Sequence, residues 1–205
     1  MYHSIVYWLS IILSQNEMNL GAGMDIEWDE IFKGYEPRKP PTEVQLLLET
    51  IYESGKWAEF VRDSRIQGKL TNEVQTAFHL FWIERGHFMR SRLNDDELLL
   101  QILKALLPPL KVESGLWLYR GENLDCYQAG VIGFCWTAQE EKALPFARSF
   151  NSFGSGGVLL KAWVPASSIL AGIHPHSTYL GEDEITVNKF EIEQVQALQT
   201  FPLTH

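Results

Sequence analysis

The chain is short of cysteine, of positive charge and of long apolar runs, and each shortage removes a class of protein. Only two cysteines, Cys126 and Cys135, occur in 205 residues. With no second pair and no spaced histidine set they cannot complete a tetrahedral zinc site. Free thiols in a reducing compartment are the ordinary expectation for so few cysteines, with a Cys126–Cys135 disulfide as the alternative. Lys and Arg number 17 against 26 Asp and Glu, a formal net charge of -9. The molecule as a whole therefore offers phosphate backbones no long-range attraction, and nucleic acid is not an expected partner. The most apolar run, Ser4 to Ser14, has eleven residues, against the roughly 20 that a membrane-spanning helix needs. It also lacks the preceding basic residues of a secretory leader. It reads as a core or docking helix, as an interfacial or targeting segment, or as residues upstream of a later start at Met18 or Met24, and no stable membrane insertion is expected. The G-x-G-x-x-G and G-x-x-x-x-G-K-[ST] patterns are missing, so neither a Rossmann turn nor a P-loop is on offer. Self-similarity at a period of about 20–50 residues is missing too, which excludes a solenoid.

What is present is apolar material for one ordinary core or two small ones, at 45% hydrophobic and 21% charged residues. Three parts are expected: an apolar N-terminal segment over 1–24, an α-helical module over 25–110, and a mostly-β domain over 111–205. The run Glu36-Pro37-Arg38-Lys39-Pro40-Pro41 cannot continue a helix and reads as an extended linker. Thr42 then stands at an N-cap position before Val44, Leu47, Leu48, Ile51 and Tyr52 at helical spacing, which predicts a helix over 42–54 ended by Gly55. Further helices are predicted over Trp57–Ile66, over Asn72–Arg92 with Gly86 as a break or kink, and over Asp95–Leu107 before Pro108-Pro109. Beyond Pro109 the pattern changes to short strands at Leu116–Tyr119, Val131–Trp136, Val158–Val164, Ile185–Val187 and Phe190–Ala197. One helix interrupts them over 139–150, with Thr137 as its expected cap. The fold class is α+β.

Three separated pieces carry candidate chemistry. Leu116-Trp117-Leu118-Tyr119-Arg120-Gly121 ends a strand in an arginine, which is a surface residue, the partner of a local carboxylate, or a guanidinium able to hold phosphate oxygens through parallel hydrogen bonds. Gly133-Phe134-Cys135-Trp136-Thr137 runs into the helix bearing Ala143, Phe146 and Ala147. It is either plain strand, cap and helix, or a hydroxyl and an aromatic placed to orient a carboxylate and stack on a flat ring. Tyr179-Leu180-Gly181-Glu182-Asp183-Glu184-Ile185 sets three acids at the mouth of a strand. Alternation along that strand would turn Glu182 and Glu184 to one side and Asp183 to the other, giving either a solvated charge run or two carboxylates facing one pocket. Gly154-Ser155-Gly156-Gly157 has no lysine and precedes a strand, so it reads as a flexible turn rather than a phosphate cradle. His174-Pro175-His176 lacks a third ligand at suitable spacing, and no metal is expected there.

In this order the three pieces resemble the arginine-serine-glutamate class of mono-ADP-ribosyltransferases, and Trp136 to Ala147 (WTAQEEKALPFA) looks like a segment of its bacterial and phage members. The resemblance covers about 90 residues and leaves the helical half unmatched. It implies an ADP-ribosyltransferase-like β-sandwich with one or more short helices. It also implies NAD as a substrate, transfer of ADP-ribose to an unidentified target protein with release of nicotinamide, and a toxin or effector acting in the cytoplasm or inside a host cell. By the same resemblance Glu184 stabilises the oxocarbenium-like transition state and binds the ribose 2′-hydroxyl, with Thr137 holding Glu184 in place. Glu182 binds an acceptor guanidinium, Arg120 grips the phosphates, and Gly121, Cys135, Trp136, Thr137 and Phe146 border the cofactor. Family members commonly have serine where this chain has Cys135, so the hydroxyl role passes to Thr137 or to a weaker thiol donor. An NAD glycohydrolase and a catalytically decayed transferase fold that binds protein are the alternatives.

Overall fold

A computed structural model describes residues 40–63 and 71–203. The N-terminal apolar segment, most of the proline-rich linker and the end of the expected helix over Trp57–Ile66 lie outside the described residues. Helices come first and two antiparallel sheets follow. Residues 41 onward form one compact unit.

Helix α1 (Glu43–Ser54) begins where Thr42 and Gln45 exchange side-chain and backbone bonds in a capping box, which satisfies two otherwise orphaned N–H groups. Gly55, at φ 69, ends it in the left-handed conformation. After the short α2 (Trp57–Arg62), Thr71 caps α3 (Asn72–Leu93) through the Val74 N–H. Gly86 does not break α3. A Cβ there would stand 2.8 Å from the Trp82 ring, so its small size seats that indole. Asn94, at φ 47, ends α3, and the Asp95 carboxylate caps α4 (Asp96–Leu106) through the Leu98 N–H. Buried Phe78, Trp82, Met89, Ile102 and Leu106 form the helical core, joined by Phe134 and Ala171 from the sheet region. The helices and sheets therefore share apolar contacts.

The first sheet has the order β1-β3-β6, with β1 (Leu116–Asn123), β3 (Gly157–Val164) and β6 (Glu193–Phe201). The second has the order β2-β5-β4, with β2 (Cys135–Trp136), β4 (Ile169–Ala171) and β5 (Ile185–Val187). A bridge between Tyr119 and Thr137 links the sheets through paired N–H···O bonds of 2.7 and 2.9 Å. Side-chain alternation fixes the faces. Val158, Leu160, Ala162 and Val164 of β3 join Leu118, Trp136, Ile169 and Val187 in the core between the sheets. On the outer face Leu159 instead meets Ala143 and Ala147.

Several boundaries differ from the sequence expectation, each for a nonlocal reason. Strand β1 runs four residues beyond Tyr119, because β3 pairs with it as far as Asn123↔Gly157. Only Cys135 and Trp136 of the expected Val131–Trp136 strand find a ladder partner. The helix expected over 139–150 is α6 (Glu140–Pro145) followed by a wider π-turn at Phe146–Phe150, and its cap position is Gln139 rather than Thr137. Helices α5 (Leu124–Gln128) and α7 (Pro175–Leu180), with strand β4, occupy stretches expected to be irregular. Among the described residues no helix is long and apolar enough to cross a membrane.

Helix α6 lies directly on β1 because Gly121 has no side chain. A Cβ there would fall 2.3 Å from the Ala147 nitrogen and 2.4 Å from the Ala143 oxygen, both backbone atoms that cannot swing aside. Gly121→Ala is expected to lower unfolding free energy in urea by about 1–3 kcal/mol, the usual cost of overpacking. An unchanged midpoint would show that α6 moves off β1 freely.

Candidate active site

Arg120 and Glu122 project from β1 into the space between the sheets, since their cross-strand partners Leu160 and Val158 belong to the inter-sheet core. Arg120 Nε donates to Glu122 Oε2 at 2.7 Å, and Nη1 donates to the Cys135 carbonyl at 2.6 Å. The guanidinium lies against the backbone of Gly133, where a Cβ would stand 2.2 Å from Nη2. Glu122 accepts two further bonds, from the Asn123 N–H at 2.9 Å and the Gly133 N–H at 2.9 Å. Burial works to raise the Glu122 pKa, but the Arg120 charge and these N–H groups hold it below the ordinary carboxylate range.

The acid cluster sits between α7 and β5. Gly181 ends α7 in the left-handed region, and Asp183 follows at φ 46. Glu182 and Asp183 donate their N–H groups to the Ser177 carbonyl, while the Glu184 N–H donates to Ser177 Oγ at 2.8 Å. Asp183 is therefore turned away from Glu182 and Glu184 by a left-handed turn rather than by strand alternation. Asp183 leaves the cluster toward α6: it pairs with Lys142 and accepts from Gln139 Nε2 at 2.9 Å. Hydrogen bonds from Lys142 and Thr178 keep its carboxyl acidic. Glu182 and Glu184 stay close enough to repel each other.

Glu184 immediately precedes β5, whose register with β2 pairs Ile185 with Trp136 and Thr186 with Cys135. Burial pushes its pKa up from the usual carboxylate range to about 7, and the Glu182 charge adds to that rise. The Arg120 guanidinium and a hydrogen bond from the Cys135 thiol pull the other way. Burial and the adjacent Glu184 carboxylate in turn raise the Cys135 thiol well above its ordinary value, so it stays protonated and acts as a donor. Burial raises the Glu182 carboxyl as well. Trp82 of α3 donates its indole N–H to Thr186 Oγ1 at 3.0 Å, anchoring β5 two residues beyond Glu184 to the helical layer.

Of the residues singled out in the sequence, Arg120, Cys135, Glu182 and Glu184 are thus brought together. Thr137 lies beside them, buried, with its hydroxyl accepting from the Gln139 N–H at 3.4 Å. Trp136 is 1% exposed and donates to the Gly133 carbonyl at 3.2 Å, so it forms core rather than an open wall. Gly121 and Phe146 meet on the opposite, α6-covered face of β1, away from Arg120. Gly154–Gly157 closes a structural turn in which Ser155 N–H binds Asp125, and the Asn123 side chain binds the carbonyls of Asn151, Phe153 and Gly156. His174 caps α7 by accepting the His176 N–H at 3.0 Å. Among the described residues no group of three or more His, Cys, Asp or Glu side chains is arranged to hold a metal.

Glu122 and Ser177 were not singled out in the sequence. A strand extended past Tyr119 places Glu122 two residues from Arg120 and on the same face, and that was the available signal. Ser177 lies on a helix announced only by His174 before Pro175 at its first position. Comparison of the chain with protein-family models, with curated proteins and with solved structures finds no match.

The raised pKa of Glu184 has a stability consequence. A carboxyl whose pKa rises on folding is unpenalised where both states are protonated, below about pH 4.5, and progressively destabilises the fold as pH climbs to about 7. Glu184→Gln is neutral at every pH. The melting temperature of Glu184→Gln minus that of wild type is expected to grow between pH 5 and pH 8, measured by thermal scans in matched buffers. A difference that shrinks over that range would place a well-solvated carboxylate at this position.

Proposed function

We propose that the protein is an NAD-dependent mono-ADP-ribosyltransferase whose reaction centre is built on Glu184, Glu182 and Arg120, in a C-terminal ADP-ribosyltransferase-like sandwich. One observation carries the reading: Arg120 from β1, Cys135 from β2 and Glu184 ahead of β5 meet at the seam between the sheets, although 64 residues separate the first and last. Two small antiparallel sheets around one inter-sheet core also fit such a sandwich.

The chemistry follows from the electrostatics. Breaking the bond between nicotinamide and ribose develops positive charge on the sugar, and a fixed carboxylate beside it stabilises that charge more in the transition state than in the ground state. Glu184 suits this role because it is partly desolvated, so its charge is little screened. Its pKa near 7 leaves its proton state responsive, and a cationic nicotinamide ring nearby favours the ionised form. Cys135 supplies the hydrogen bond that a serine hydroxyl gives elsewhere. Glu182, beside Glu184, is suited to bind an incoming guanidinium through two oxygens, which makes an arginine side chain of a target protein the preferred acceptor. Arg120 provides the cation for the dinucleotide's phosphates.

Purified protein incubated with labelled NAD and a cell lysate is expected to transfer label to protein and release nicotinamide. Glu184→Gln is expected to reduce both by at least about 100-fold, the scale of removing one preorganised electrostatic contact, while the circular dichroism spectrum stays unchanged. Nicotinamide release at full rate without protein acceptor would make water the acceptor and the protein a glycohydrolase. An NAD-induced rise in melting temperature with no turnover would instead leave a binding module.

A further inference from the structure

We propose that Glu122 is a positioning residue that holds the Arg120 guanidinium in one orientation for diphosphate binding, and so keeps it from collapsing onto Glu184. The inference rests on the reading of Arg120 given above. Its geometric basis is the hydrogen bond from Arg120 Nε to Glu122 Oε2 at 2.7 Å; the charge of Glu184 also acts on Arg120. A guanidinium between two carboxylates pairs more readily with the one already fixed in place, because less freedom is lost in forming that pair. Here Glu122 is the restrained partner, 5% exposed and fixed through both oxygens by the backbone N–H groups of Asn123 and Gly133.

That arrangement commits specific donors. Nε is taken by Glu122 and Nη1 bonds the Cys135 carbonyl, while the Nη2 side is pressed on Gly133. The plane of the guanidinium is thereby set from three sides, and these two bonds take two of its five N–H donors. Preorganisation of this kind lowers the ordering cost of binding. An amide cannot replace Glu122. Three N–H donors converge on its two oxygens, so the NH₂ of a glutamine would face a donor whichever way it turned. Gly133 belongs to the same device, because any side chain there would drive Nη2 out of place.

The test compares two ligands that differ in the group Arg120 is held ready for: ADP-ribose, which carries the diphosphate, and nicotinamide riboside, which does not. Glu122→Gln, and Glu122→Asp as the variant that keeps the charge but shortens the reach, are expected to weaken ADP-ribose binding about tenfold in calorimetry, as for loss of one charge-assisted contact. Affinity for nicotinamide riboside is expected to stay within about twofold, since that ligand makes no diphosphate contact. In the nitrogen–proton NMR spectrum, an exchange-protected Arg Nε–Hε signal, assigned by its loss in Arg120→Lys, is expected to vanish in both Glu122 variants. Equal weakening of both ligands, or unchanged ADP-ribose affinity once the Nε–Hε signal is gone, overturns the proposal and leaves Glu122 purely structural. If wild type binds neither ligand, the NAD reading of the site fails and this inference with it. Binding of ADP-ribose by wild type that neither Glu122 variant weakens overturns this inference alone, which separates the two failures. Should Glu122→Gln not fold, Glu122→Asp carries the comparison alone.

Discussion

A guanidinium withdrawn from water between two sheets must be met by charge and by hydrogen-bond acceptors, because leaving it unpaired there costs several kcal/mol. At Arg120 this requirement ties together parts of the chain that have little else in common. Glu122 supplies the charge, the Cys135 carbonyl supplies the second acceptor, and Gly133 supplies the bare backbone on which the plane rests. The loop before β2 is thereby drawn against β1, and the Tyr119–Thr137 bridge follows next to it. Once β2 is placed, its register with β5 decides where Glu184 comes to lie. The candidate reaction centre is thus a consequence of how one buried cation is neutralised.

The second constraint is the divergence of three consecutive acids. Like charges cannot crowd at a partly buried turn without relief, and the relief here is Asp183. Its left-handed conformation sends the carboxylate to Lys142 and Gln139 on α6. Glu184 then has Arg120 and the Cys135 thiol to offset burial and the Glu182 charge, and is left with a raised pKa. Helix α6 contributes through Lys142, which pairs with Asp183, whereas Phe146 in the π-turn that follows lies on the far face of β1. The helical layer contributes through Trp82, whose indole holds Thr186, and through Asp96, which pairs with Arg90 and Lys189 and so joins the start of α4 to the turn before β6. The helices therefore brace the sheets that carry the site.

Much of the helical half was legible because its signals are local. Thr42, Thr71 and Asp95 accept N–H groups three residues on, and Gly55 adopts a conformation open to few other residues. Such information sits within one turn of the chain. Gly86 misled for the same reason: propensity marks glycine as a break, whereas its space is filled by an indole from the preceding turn. In the sheets, the alternation of Val158, Leu160, Ala162 and Val164 announced β3, but the ends of β1 and β2 depend on which partners are present to accept bonds. No stretch of sequence contains its own partner.

The amino-acid sequence by itself determined the α+β order, the cap at Thr42, the faces of the longer strands and the residue types available for chemistry, since each depends on side chains a few positions apart. Only the tertiary structure decided that Arg120 pairs with Glu122, that the Cys135 thiol comes beside Glu184, that Trp136 is core, and that Gly121 seats a helix. Those outcomes turn on burial and on groups that approach through space, as Arg120 does the Cys135 carbonyl 15 residues on and the Glu184 charge 64 residues on. Desolvation and Coulomb energy depend on distance through space, which sequence separation does not encode.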